Sequence, residues 1–98
     1  MKDKSEALKA QARKTTIVLA KYDVGFDNRM FLRGDDPALD WNIGAPMDCI
    51  AADEWIWSTD KAERDFACKF LINDETWSVP EDIPIKAGQK TVCLPKFR

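Results

Sequence analysis

The 98 residues contain no histidine. That removes the commonest general base at neutral pH and the commonest metal ligand together. The three cysteines, Cys49, Cys68 and Cys93, are an odd number without a CxxC pair. Neither a zinc site nor a closed disulfide framework can be written from them, so they read as reduced, semi-buried thiols of a cytoplasmic protein. No apolar run approaches the roughly 20 residues that cross a bilayer. The opening MKDKSEALKAQARK has no apolar core of the kind a secretory signal carries. The acidic pairs Asp35-Asp36, Asp53-Glu54 and Glu81-Asp82 are neighbours in turn-like segments, which is ordinary turn chemistry. With no nucleophile–base set, the chain reads as a non-enzyme, with no catalytic residues, no metal and no cofactor.

What is present suits a single small core. The composition is 45% hydrophobic with four Trp and five Phe, at a length near which one core becomes self-supporting. Charge is uneven. Residues 1–14 hold five Lys/Arg and two Asp/Glu, whereas the remainder holds ten and fifteen, for −2 over the whole chain. An acidic body is a poor match for phosphate backbones, so nucleic acid is not an expected partner, and no membrane is either. The basic lead reads as a solvated tail, helical or disordered, since it has one sizeable apolar residue, Leu8, to bury.

From Thr15 to the C-terminus the pattern is that of one β domain, residues 15–98. TTIVLAKYDVGF is rich in β-branched and aromatic residues and reads as a strand ending near Gly25, followed by a turn at Asp27-Asn28 and a second strand, RMFLRGD. Asp35-Asp36-Pro37 opens a loop. After Gly44 and Pro46 comes a short strand, MDCIA. Glu54 to Thr59 alternates, with Trp55 and Trp57 on one face, read as core, and Glu54, Ile56 and Ser58 on the other. Arg64 to Asn73 is the longest strand. It sets Phe66, Cys68, Phe70 and Ile72 inward and Asp65, Ala67, Lys69 and Leu71 outward. Asn73-Asp74 is a tight-turn signal leading to a short strand with Trp77. Pro80 and Pro84 then read as breaks before a turn at Gly88 and a last strand. About seven short strands predict an antiparallel sandwich or barrel.

The order of these pieces resembles the starch- and glycogen-binding carbohydrate-binding modules, the group that includes the starch-binding domains of amylases and glucoamylases and the glycogen-binding domain of AMP-activated protein kinase. The residues that carry the resemblance are Leu32-Arg33-Gly34, Leu39-Asp40-Trp41, Pro46-Met47, Trp55-Ile56-Trp57, Cys68-Lys69-Phe70 and Thr76-Trp77, spanning about four-fifths of the chain. The resemblance implies an immunoglobulin-like antiparallel β-sandwich with a surface site for an α-glucan polysaccharide or oligosaccharide. Carried over residue by residue, the platform is Trp41 and Trp77 with Lys69 beside them. Gln89 is the nearest polar candidate for the family's last-strand Asn. Val79-Pro80-Glu81-Asp82 departs from the family's Asn-rich loop after the hairpin Trp.

The chemistry is reasonable on its own terms. A pyranose offers apolar C–H faces to an indole and hydroxyls to Lys or Gln, each exchange with water yielding a small net gain. The same surface suits a second class of function, a module that binds a protein partner or forms a homodimer. An exposed Trp41–Trp77 pair beside Lys69 favours sugar, whereas a broad apolar patch extended by Ile56 or Leu71 favours protein.

Overall fold

A computed structural model of the protein describes residues 15–79 and 82–97. The basic lead, residues 1–14, lies outside the described residues, as do Pro80, Glu81 and Arg98. Nine strands are present among the described residues, and no helix. They are β1 (Thr16–Lys21), β2 (Met30–Gly34), β3 (Ala45–Pro46), β4 (Asp48–Ala51), β5 (Glu54–Thr59), β6 (Phe66–Ile72), β7 (Thr76–Trp77), β8 (Ile83–Ile85) and β9 (Lys90–Cys93).

They form two sheets in a sandwich-like arrangement. One has the order β4-β5-β1-β9 and the other β3-β2-β6-β7, with β8 also paired to β6. All pairs are antiparallel except one: β9 runs parallel to β1, with Val18 opposite Thr91. An alternating pattern marks strands but does not encode their direction, so the parallel edge is not visible in the sequence. Pro84, expected to break the chain, instead lies inside β8 opposite Ala67. Proline removes a backbone donor, and β8 tolerates this because, among the described residues, no strand other than β6 pairs with it.

The period-2 pattern builds the core. From the β2/β6 sheet, Met30, Leu32, Phe66, Cys68, Phe70 and Ile85 point inward; from the other come Val18, Ala20, Trp55 and Cys93. Trp57 packs only partly against this core and meets Phe66 edge-on at 6.5 Å between ring centres. The Trp55 indole N–H is buried without a hydrogen-bond partner, a cost of about 1–3 kcal/mol set against the burial of a large ring. Buried Thr16 is satisfied by accepting the Gly88 amide at 2.8 Å.

Of the three thiols, Cys68 and Cys93 are buried and Cys49 is exposed, so the expectation of three semi-buried cysteines is corrected at Cys49. Cys49 falls on β4, the outer strand of its sheet, where no neighbour covers it. Burial pushes the Cys68 thiol far up in pKa and raises Cys93 to about 11.

Candidate functional site

The outer face of the β3-β2-β6-β7 sheet is built by register. Phe31 on β2 pairs with Leu71 on β6, and Leu71 pairs with Trp77 on β7; one step away, Arg33 pairs with Lys69. Alternation therefore puts Phe31, Leu71 and Trp77 in one cross-strand row and Arg33 and Lys69 in the next. Leu71 faces outward as the sequence predicts yet is fully buried, because the large side chains flanking it in its row close over it. It does not extend an apolar surface.

Trp77 is held in place by its own neighbour. Ser78 is almost fully buried, its hydroxyl accepts the Phe70 amide at 3.0 Å, and its amide donates to the Phe70 carbonyl at 2.8 Å. This double clamp fixes the two-residue strand and leaves the Trp77 indole 40% exposed. Two cations lie over that indole: the Arg33 guanidinium carbon at 5.0 Å and Lys69 Nζ at 5.9 Å from the ring centre. Both distances lie within cation–π range.

Arg33 organises the rest. Its Nε donates to Asp74 Oδ1 at 2.9 Å, Nη2 to the Asp74 carbonyl at 3.3 Å, and Nη1 to the Trp41 carbonyl at 2.9 Å. The other Asp74 oxygen accepts the Gly44 amide at 3.1 Å. Loop 35–44 is thereby folded over the sheet and fastened at two points, Trp41 and Gly44. Gly44 is required by space: a Cβ there would strike the Asp74 carboxylate and lie 2.9 Å from Phe31 Cβ. The turn supplying Asp74 has left-handed φ at both Asn73 (56°) and Asp74 (57°), as a type I′ turn demands. The hydrogen bond from Arg33 holds the Asp74 carboxyl below its ordinary pKa, helped by the Gly44 amide and the Arg33 charge and opposed by burial.

No family model, curated protein or solved structure matches this chain.

Three of the four expected residues come together. Lys69 and Trp77 are in contact, and Trp41 is tied to them through Arg33, although its indole is half-buried rather than open. Gln89 stands apart. Its carbonyl accepts the Ile17 amide at 2.9 Å in the other sheet, while neighbouring Ala87 donates to Asp65 at the start of β6. Trp77 lies opposite Leu71, six residues further along that strand, about 20 Å at the usual rise. Arg33 and Asp74 are the residues missed by sequence reasoning. Alternation in MFLRG does place Arg33 outward, but its partners are 41 and 8 residues away in the chain. No group of three or more potential metal-binding side chains occurs among the described residues, and they include no helix that could cross a membrane.

Proposed function

We propose that the protein is a non-catalytic α-glucan-binding module whose site is the outer face around Trp77. The observation that carries this reading is an exposed indole clamped on the sheet with Lys69 5.9 Å from its centre. A pyranose seats its C–H face on the open part of the Trp77 ring, and Lys69 donates to its hydroxyls. All three Arg33 donor groups already have partners. Arg33 is thus a positioning residue that sets the loop bearing Trp41 beside the ring. One shallow site of this kind gives a dissociation constant on the order of 0.1–1 mM, about 4–5.5 kcal/mol. Such affinity suits a polymer offering many repeats.

Strand order supports an immunoglobulin-like assignment. β4-β5-β1 stands in the order of the D, E and B strands, and β3-β2-β6 continues through C and F. Here β9 occupies the place beside B that the first strand takes in such domains. A cytoplasmic location is favoured by three free thiols, one of them exposed.

Titration with maltoheptaose, with cellohexaose as the control, tests the reading. Indole fluorescence should change, and amide shifts should gather at Lys69, Thr76 and Trp77. No shift at 10 mM maltoheptaose, a concentration about tenfold above the weakest expected constant, refutes it. The second reading, a protein-interaction module, draws on a different observation: Phe26, Ile43 and Leu94 are 99%, 70% and 72% exposed. None of the three lies on the row containing Trp77.

A further inference from the structure

Trp57 meets Phe66 edge-on, yet the core covers it only in part. Its uncovered part opens on a groove of about 440 Å³ where β5 ends, lined besides by Ala38 from loop 35–44 and by Thr15, Ser58, Thr59, Asp60 and Lys61. Local hydrogen bonds fix this lining. β1 begins opposite the end of β5, with Thr16 paired to Thr59, which brings Thr15 to the same place. Thr59 Oγ1 accepts the Lys61 amide at 3.1 Å and so turns the chain at Asp60. In loop 35–44 the Ala38 amide donates to buried Asp36 at 2.9 Å, and the Leu39 amide donates to the Asp36 carbonyl at 2.8 Å. A groove already formed loses little to ordering when a ligand enters.

The lining suits a neutral, polyhydroxylated ligand. An indole offers its face to the C–H face of a pyranose. Ionised Asp60 accepts hydrogen bonds, Lys61 donates them, and the hydroxyls of Thr15, Ser58 and Thr59 do both, as each sugar hydroxyl does. Within the groove one acid and one base cancel. Past Lys61 the surface continues into a second cleft, of about 300 Å³, lined also by Asp36, Pro37, Glu63 and Arg64. Asp35 and Asp65 are exposed beside it, and Asp65 faces Lys86 at 3.6 Å. These surroundings lean acidic and disfavour a phosphate, sulfate or uronate, while Lys61 in the groove itself disfavours a cation. A polar-rimmed groove of this size is also unlike the broad apolar patch that a protein partner covers.

We propose that this groove is a second pyranose-binding site, with Trp57 as its platform, Asp60 accepting from the sugar hydroxyls and Lys61 donating to them. It is separate from the face around Trp77. Trp57 meets Phe66 at the start of β6, whereas Trp77 pairs with Leu71, five residues further along that strand, about 17 Å at the usual rise. One pyranose cannot touch both rings. The groove and the Pro37 cleft share Lys61, so the site is open at that side and admits the interior units of a chain as well as its end. The inference takes from the reading above only the class of ligand, and the two sites stand or fall separately.

Amide shifts of the whole protein during titration with maltoheptaose to about 10 mM are the test. A set of shifts should appear at Ser58, Thr59 and Lys61, apart from those at Trp77, and should persist in Trp77→Ala. Ala38→Leu, at an exposed position whose amide keeps its bond to Asp36, should fill the groove. Lys61→Met keeps the stem and removes the donor. Each should weaken the groove set about tenfold or more while leaving the Trp77 set and the melting temperature unchanged. Shifts at Trp77 with none at the groove, a groove set that Ala38→Leu leaves intact, or one lost in folded Trp77→Ala overturns the proposal. Shifts at the groove with none at Trp77 support it and refute the other site, and no shift anywhere refutes both. Perturbation of the groove by tetramethylammonium chloride and not by the sugar would assign the Trp57 ring to a cation and overturn the proposal as well.

Discussion

Asp74→Asn isolates the fastening that holds loop 35–44 over the sheet. Asparagine keeps the size of the side chain and is tolerated at the left-handed φ of 57°. It keeps one acceptor oxygen, so either the Arg33 Nε bond or the Gly44 amide bond is replaced by two donors facing each other. The charged partner of Arg33 is lost as well. A hydrogen bond to a charged group contributes about 1.5–3 kcal/mol, while an exposed ion pair contributes about 0–1. With the two side chains 14% and 27% exposed, solvent screening pulls the value down. The expected loss is about 1–2 kcal/mol, and for a domain of this size each kcal/mol lowers Tm by about 4–8 °C.

The pH dependence makes the reasoning refutable. Asp74 has a folded pKa below its ordinary value of 3.8, chiefly through the Arg33 hydrogen bond. A depressed carboxylate contributes stability that is fully present above its unfolded pKa and is lost as pH falls through the folded value. Urea unfolding of wild type and Asp74→Asn should therefore differ by a constant amount from about pH 8 to 5, and the gap should close below about pH 4. A gap that persists unchanged to about pH 2, or no gap at neutral pH, sinks the argument. In the first case shape rather than charge holds the loop; in the second the loop is held elsewhere.

Trp77→Ala should weaken maltoheptaose binding by about 1–3 kcal/mol and lower Tm by several degrees as well, since the ring is only 40% exposed and its covered part closes over Leu71; titration and melting of the same sample separate the two. Trp55→Ala, by contrast, should cost about 3–5 kcal/mol in urea unfolding, whereas Trp55→Phe should cost far less because it also removes the unpartnered indole N–H. A thiol reagent at pH 8 should label Cys49 at once and leave Cys68 and Cys93 untouched until unfolding, as mass spectrometry of the intact protein would reveal. Gly44→Ala should mimic the loss of Asp74 at neutral pH, costing about 1–3 kcal/mol by overpacking against Phe31 and the carboxylate; urea unfolding at pH 7 decides it.

The fold was legible wherever one side of a strand is apolar and the other polar. Glu54–Thr59 and Phe66–Ile72 stand where alternation puts them, and Cys68 is buried between Phe66 and Phe70 as a small hydrophobe. The Asn73-Asp74 turn was legible from its chemistry. Pairing was not: neither the parallel β1–β9 edge nor a strand through Pro84 has a local signature, since both depend on which strand comes alongside. Trp57 shares a face with Trp55 but is only partly covered. At the candidate site, Lys69 could be read as outward from its own strand. Arg33 could not be read as its organiser, because its role comes from a turn 41 residues away.

That turn bears on both surfaces at once. Asn-Gly is the commonest pair for a type I′ turn, since glycine adopts left-handed φ without strain. This chain has Asn-Asp instead, and accepts the cost of a second side chain at positive φ. Asn73 fastens the loop that presents Phe26, and Asp74 fastens the loop that carries Trp41 while gripping the Arg33 that lies over Trp77. A glycine at position 74 would make a better turn and release the second of these loops. The side chain kept at Asp74 despite that strain is thus what holds the Trp41 loop against the sheet, and the geometry of the face around Trp77 depends on it.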